Sequence, residues 1–464
     1  MKTINNNMLR AGLIAVIVAV ILPACGIYKK YETPTDVPII DLYERAIRDT
    51  SRDNANMGNL PWRAIFTDPL LQSYIERALA NNVDLKNAKL NIDIAEARLL
   101  GAKLSYLPAV NFAPNGAGVK FGDDNPMDWG WQLPLTVSWQ VDIFAQITNN
   151  KRSKQSLVIQ TQAYRQAVQS QIIASVATCY YQLVSLYRQL DIYNENVGLW
   201  ENTIKLMKDM KEAGRYTEVA VVQGEANYYS VLATIPDIQL SITNANNTLS
   251  LLLNEQPAVW EVNTDSKLWL PDNIADGIPV SYLATRPDVR AAEQDFAQAY
   301  YATNVARANF YPNLTINGTF AYGTLFGSTV LDAATWLINL AGTLTQPIFN
   351  RGANIATFKA AKLQQQQALN NFQHTIINAY NEASTTMASI RAYHEKEINV
   401  QQQKNKLEQA VDFNKDLMQY ATTTYLEVIT AQQSLLAAQI QLENVRLNNN
   451  LNIIDLYQIL GGGR

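Results

Sequence analysis

From Trp131 to Val141 apolar and polar residues alternate. Trp131, Leu133, Leu135, Val137, Trp139 and Val141 fall on one side; Gln132, Pro134, Thr136, Ser138 and Gln140 fall on the other. A period of two over this length predicts a strand with two unlike faces. Its length and its tryptophans near the ends fit a strand that crosses a bilayer. Pro134 predicts a bulge or a frayed position. Val110 to Phe121 is a less regular partner strand, joined through the turn-rich stretch 122–130. The pattern returns later in the chain. Leu314, Ile316, Phe320 and Tyr322 alternate with polar or small residues, as do Trp336, Ile338, Leu340 and Leu344. The two hairpins end alike, in Ile143-Phe144 and Ile348-Phe349.

Behind each hairpin the period becomes helical. Ile172, Val176, Cys179, Leu183, Leu186, Leu190, Tyr193, Val197, Trp200, Ile204 and Met207 step by four and three, the seam of a coiled coil. Two hundred positions on, Phe372, Ile376, Ala379, Ala383, Ile390, Tyr393, Val400 and Leu407 repeat it, interrupted at Thr386, Glu397 and Lys404. Residues 353–460 contain neither Gly nor Pro, which predicts helix throughout. Each outgoing helix, at about 65 residues and ~1.5 Å per residue, is on the order of 100 Å long. Each is expected to turn once, near Gly214-Arg215-Tyr216-Thr217-Glu218 and near Ala421-Thr422-Thr423-Thr424, and to come back. The second returning helix carries two adjacent stripes: Val428, Leu435, Leu442, and Ile429, Leu436, Ile440, Leu447, Leu451, Ile454. Two stripes call for neighbours on both sides, as in a curved wall of helices. Pro236 predicts a kink in the first returning helix.

The halves are copies. Thr285 to Pro312 aligns with Asn81 to Pro108 at a shift of 204, matching Asp84 with Asp288, Ala88 with Ala292, Ala95 with Ala299 and Pro108 with Pro312. Asn81 and Thr285 are expected to cap their helices, with Asp84 and Asp288 in the favoured first turn. One unit built twice fixes the division of the chain: a signal peptide at 1–24, an anchored tether at 25–60, a first repeat at 61–280 and a second at 281–464. Within the first repeat, Trp62, Phe66, Leu70, Leu71, Ile75, Ala78 and Leu79 predict one short amphipathic helix.

Composition narrows the function. The net charge of -4 gives no reason to expect nucleic acid. Two His and two Cys leave little for a metal site or a disulfide framework, and no cofactor is expected. There is no Gly-rich phosphate loop, no HExxH and no GxSxG, so an enzyme is not expected. Lys2 and Arg10 precede the twelve-residue apolar run Ala11–Leu22, too short to span comfortably, which ends in Leu22-Pro23-Ala24-Cys25. This resembles a bacterial lipobox in which Cys25 becomes the lipidated first residue; the alternative is a secretory peptide cleaved elsewhere. Cys179, on the apolar seam, is expected to be a small buried hydrophobe.

Four strands cannot close a barrel, and open edges are not tolerated in lipid, so copies must pool strands. Two chains give eight strands and a filled interior; three give twelve and room for water. A coiled-coil structural protein would explain the heptads but not the amphipathic strands.

Arg286-Pro287-Asp288-Val289-Arg290-Ala291-Ala292-Glu293, Phe310-Tyr311-Pro312, Gln346-Pro347-Ile348-Phe349-Asn350-Arg351-Gly352, Tyr425-Leu426-Glu427-Val428-Ile429-Thr430-Ala431-Gln432 and the Leu456–Gly463 ending resemble the TolC-type outer-membrane efflux family, NodT-type lipoprotein branch. The resemblance covers nearly the whole mature chain. It implies a mostly α protein with a transmembrane β-barrel: a homotrimer pooling its strands in a twelve-stranded barrel on a periplasmic α-barrel. It also implies an exit duct for small molecules or drugs, a periplasmic membrane-fusion adaptor and an inner-membrane RND-type transporter as partners, and outer-membrane lipid around the barrel. Type I protein secretion is the alternative cargo route. Adaptor contact would fall on Gly214, Arg215, Thr217, Glu218, Ala421, Thr422, Thr423 and Thr424. Glu427 matches a position where the family rings its pore with carboxylates; Thr430 stands where a second acid is often found. Ala421 replaces the family's usual turn Gly.

Overall fold

The structure is a computed structural model of the 464-residue chain, and it describes residues 28–34, 61–119, 128–266, 268, 280–323, 335–419 and 424–462. Two compact units emerge, each drawing on both halves of the chain. The first holds 28–34, 90–162 and 291–373; the second holds the described residues of 35–89, 163–290 and 374–464.

In the first unit, one antiparallel sheet joins the ends of four helices: α3 (Val83–Leu104), α4 (Gln146–Glu212), α6 (Pro287–Ala308) and α7 (Ala353–Gln419). Its strands are β1 (Ala109–Phe112), β2 (Asn115–Val119), β3 (Asp128–Val141), β4 (Asn313–Gly323) and β5 (Thr335–Thr345). β1 and β2 both pair with β3, and β4 lies between β3 and β5. β1 and β2 keep one register, Phe112 opposite Leu135 and Asn115 opposite Gln132, so they form one line of chain interrupted at Pro114. Of the bulge or frayed position expected at Pro134, the fraying is found on one side: the β1/β2 line is broken at 113–114 opposite it, while on the β4 side pairing runs through, Leu133 to Tyr322, Pro134 to Ala321, Leu135 to Phe320. Both backbone groups of a residue in an antiparallel strand point to the same neighbour. Pro134 accepts from Ala113 N at 3.3 Å, so its missing N–H is lost from the β1 side and the β4 ladder is untouched.

The register aligns the two faces across strands. Val110 lies opposite Val137, Phe112 opposite Leu135, Leu135 opposite Phe320, Phe320 opposite Ile338, and Tyr322 opposite Trp336. The other face sets Thr136 opposite Thr319, Ser138 opposite Asn317 and Thr319 opposite Asn339. The sheet is apolar on one face and polar on the other. Its apolar side chains on β5 stay exposed, with Ile338 at 74% and Leu340 at 79%.

In the second unit the helices pair through the predicted seams. Val176, Cys179, Leu183, Trp200, Ile204 and Met207 of α4 are buried, as are Ile376, Ala379, Ala383, Ile390 and Val400 of α7. α5 (Glu218–Leu253) and α8 (Tyr425–Ile459) are the returning helices. On α8 the stripe Val428, Leu435, Leu442 is buried; Leu436, Ile440, Leu447 and Leu451 of the other are half-buried. α5 continues through Pro236.

Several local expectations need correction. The single helix expected around Trp62–Leu79 is two, α1 (Trp62–Ile65) and α2 (Pro69–Asn81). Asp68 separates them. Its Oδ1 accepts from Leu70 N at 2.9 Å and caps α2, and Pro69 occupies the first helical position. Asn82 rather than Asn81 caps α3, accepting from Asp84 N at 2.8 Å. Thr285 does not cap α6: its hydroxyl, with one proton to donate, lies within hydrogen-bond reach of the carbonyls of Tyr282 (2.7 Å) and Leu460 (2.9 Å), which ties residue 460 to the start of the second repeat. Gly461, at φ +83°, makes that approach possible, since a Cβ there would lie 2.7 Å from Thr285 O.

Candidate functional site

The first helix turn is built around one left-handed residue. α4 ends at Glu212, and Gly214 takes φ +69°, a value that disfavours any residue with a Cβ. Arg215 N then donates to Met210 O at 2.9 Å and Gly214 N to Lys211 O at 2.9 Å, satisfying carbonyls at the helix end. Thr217 is the N-cap residue of α5, without a side-chain hydrogen bond. Glu218 follows in the first turn of α5, where the helix dipole favours an acid, and pairs with Lys211 across the bend. Gly214, Arg215, Thr217 and Glu218 thus share one exposed turn.

At the second turn, Ala421, Thr422 and Thr423 lie outside the described residues, as does Cys25. Thr424 is the N-cap of α8, and Glu427 closes a capping box on it, Oε2 accepting from Thr424 N at 3.4 Å. Sequence reading gave Glu427 a gate role alone; the Thr-x-x-Glu spacing was the available signal for the second.

The two turns meet. Tyr216 and Tyr425 pack edge to face with centroids 5.9 Å apart. Below them Met207, Val221, Met418, Val428 and Ile429 form a buried cluster with Trp200 and Val231. Burial raises the Tyr216 hydroxyl above its ordinary value, and the charge of Glu427 adds to the shift. Glu427 itself is exposed.

Further along, polar pairs join α4 to α8. Gln432 donates to Thr203 Oγ1 at 2.7 Å, both buried. Asn196, one heptad earlier, donates to Gln439 Oε1 at 3.1 Å, and Arg188 pairs with Glu443 at 3.4 Å. Heptad reading followed apolar positions and passed over these.

Near the sheet, residues 28–33 lie along α6 in the opposite direction. Tyr31 packs against Phe296 and Tyr300 at 5.5 and 5.9 Å. Tyr300 donates to Lys29 O at 3.3 Å, and Thr33 donates to Glu293 at 2.9 Å.

His374 contacts Asn378 at 3.1 Å on an exposed helix face. Among the described residues no group of three His, Cys, Asp or Glu could hold a metal ion, and no helix is long and apolar enough to cross a membrane.

A profile of the family described as outer membrane efflux protein matches residues 74–255 and 278–462. Among curated proteins, the cation efflux system protein CusC of Escherichia coli is 26% identical over 452 residues, 96% of this chain and 97% of its own length. The probable outer membrane lipoprotein SilC of Salmonella typhimurium is 25% identical over 464 residues, 98% of this chain and 99% of its own. A crystal structure of CusC superposes with a TM-score of 0.82 at 25% identity, covering 94% of this chain and 99% of that one.

Proposed function

The chain belongs to the outer membrane efflux protein family, and from that premise we propose that it forms, as a homotrimer, the exit duct of a tripartite efflux system. One observation carries the reading. The sheet has an apolar face, a polar face and two end strands, β1/β2 and β5, with no further strand beside them among the described residues. In a bilayer such ends must pair with other strands. Three copies supply twelve strands, enough for a wet lumen lined by Thr136, Ser138, Asn317, Thr319 and Asn339. The four helices then continue on the periplasmic side as a second, α-helical tube.

The two helix turns are the surface for a membrane-fusion adaptor, which couples the duct to an inner-membrane RND-type transporter. Cys25 carries the lipid; the relative SilC is named a lipoprotein. Three Glu427 carboxylates ring the pore at the turn end, where mutual repulsion favours cations or protonation.

Native mass spectrometry in detergent together with planar-bilayer recording tests the reading. A trimer that conducts supports it; a stable monomer, or a trimer without conductance, rejects it.

A further inference from the structure

The charges of this chain are unevenly placed. Ion pairs such as Arg77–Glu255, Arg188–Glu443, Lys208–Glu225, Arg286–Glu382 and Arg446–Glu397 lie in the second compact unit. In the first unit, the helical turns next to the sheet (98–104, 146–154, 303–308 and 353–362) contain eight Lys or Arg and no Asp or Glu. α4 meets its first acid only at Asp191, and α7 only at Glu382. The nearby acid Asp142 is held at the start of α4, accepting from Ile147 N, Thr148 N and Thr148 Oγ1; the cations outnumber it and repel one another, which leaves a net positive surface.

Two of the cations, Lys151 and Arg307, sit on aromatic rings. Trp139, the last tryptophan of β3, donates from Nε1 to Tyr106 O at 2.9 Å. Tyr106 shares a 2.8 Å hydrogen bond with Thr148 of α4, and Lys151 Nζ stands 5.1 Å from the Tyr106 ring centroid. Arg152 follows, and Lys103 lies one turn before Tyr106. The second copy repeats the device. At the 204-residue shift Lys103 becomes Arg307 and Tyr106 becomes Phe310. Phe310 packs edge to face on Phe358 at 5.9 Å, and Arg307 lies 5.5 Å from the Phe358 ring. Both repeats therefore place a cation and an aromatic three residues apart at the same end of a helix. Lys103 and Arg307 are exposed; Lys151 and Arg152 are half-buried.

We propose that Lys103, Lys151, Arg152 and Arg307 form a belt that binds anionic phospholipid headgroups in the leaflet on the helix side of the barrel. Aromatic bodies would lie at headgroup depth, with the cationic tips reaching the phosphates. The belt rests on the reading that the strands cross a bilayer. Binding to a charged surface of this kind weakens by about fivefold for each Lys or Arg removed.

The test is native mass spectrometry of the detergent-purified full chain with added phosphatidylglycerol or phosphatidylcholine, counting retained lipids. Wild-type protein should retain phosphatidylglycerol several-fold more, and lose that preference near 1 M salt, where the Debye length is about 3 Å. K103Q/K151Q/R152Q/R307Q should bind both lipids alike, while K205Q/K406Q in the other unit should behave as wild type. If the fourfold variant does not assemble, K151Q/R152Q should still bring the several-fold preference close to equal retention, and an unchanged preference overturns the belt. Equal retention of the two lipids by a conducting wild-type trimer overturns the belt and leaves the channel standing. A wild-type chain that conducts in neither lipid overturns the channel reading and the belt with it. A variant that keeps the lipid preference but dissociates more readily shows that the cations face carboxylates of a neighbouring copy, which also overturns the belt.

Discussion

Asp68 serves two elements with one carboxylate. Oδ1 caps α2, and Oδ2 accepts from the buried Tyr180 hydroxyl at 2.9 Å, while that hydroxyl accepts from Asn263 N at 2.9 Å. Asp68→Ala removes a cap, at about 1 kcal/mol, and orphans a buried donor, at about 1–3 kcal/mol. Asp68→Asn keeps a capping oxygen. Urea unfolding followed by circular dichroism should rank Asp68→Ala well below Asp68→Asn, and equal midpoints would contradict this role. Cys179 gives a second residue-scale expectation. Burial pushes its thiol up to about 11, and Sγ lies 3.2 Å from Ala245 O. At pH 8 only about one molecule in a thousand carries the thiolate that alkylates. Iodoacetamide should leave Cys179 unmodified in the native protein and modify it fully in denaturant. Native labelling would mean that α4 and α5 open there. Glu427 has two roles that one pair of variants separates. Glutamine can still close the capping box on Thr424, while alanine cannot. Glu427→Gln should lower cation selectivity in bilayer recordings as far as Glu427→Ala does, without the alanine variant's fraying of α8. If selectivity is unchanged in both, Glu427 does not line the pore.

At the scale of elements, what was legible in the sequence followed period. The alternation at 131–141 marked β3, and the heptads marked α4 and α7, because burial on one face imposes those spacings. What stayed hidden depended on single polar contacts. The capping shift from Asn81 to Asn82 turns on which amide reaches Asp84 N. The tie from Thr285 to Leu460 spans 175 residues and has no local signal. At Pro134 the expected fraying falls on one side only: the β1/β2 line breaks at 113–114, opposite it, while the β4 ladder runs through, and sequence cannot say which neighbour a residue's backbone groups face. The turn at Gly214 was legible, since its φ of +69° demands glycine. Gly214→Ala should cost roughly 1–2 kcal/mol locally, and limited trypsin digestion should cut after Arg215 faster than in wild type. An unchanged rate would show that the turn takes another backbone form. The same turn can be probed for the adaptor. A cysteine at Thr217 should cross-link to it, with Cys179 buried and silent; capture only at positions far from both turns would move the contact.

For the whole molecule, the proposed lipid on Cys25 and the proposed barrel would be separate sources of membrane affinity. A single acyl chain holds a protein only marginally, whereas two or more hold it stably. A closed barrel needs neither. The segment that links them is short: Tyr28 is buried three residues after Cys25, and residues 29–33 are held along α6 by Tyr300, Tyr301 and Glu293. These contacts run from the Glu293 end of α6 at Thr33 towards the end that leads into β4, so the chain reaches Tyr28 heading for the sheet. On the proposed reading that the strands cross a bilayer, a lipid on Cys25 therefore needs no long tether to enter it. Cys25→Ser should abolish incorporation of radiolabelled palmitate, while the strands still direct the protein to the outer membrane. Trimers should persist in native mass spectrometry, because pairing between β1/β2 and β5 of neighbouring copies does not involve the cysteine. Undiminished palmitate labelling would remove Cys25 as the acceptor. Labelling lost together with the trimer would mean that the lipid is needed for assembly, and that strand pairing alone does not hold the copies together.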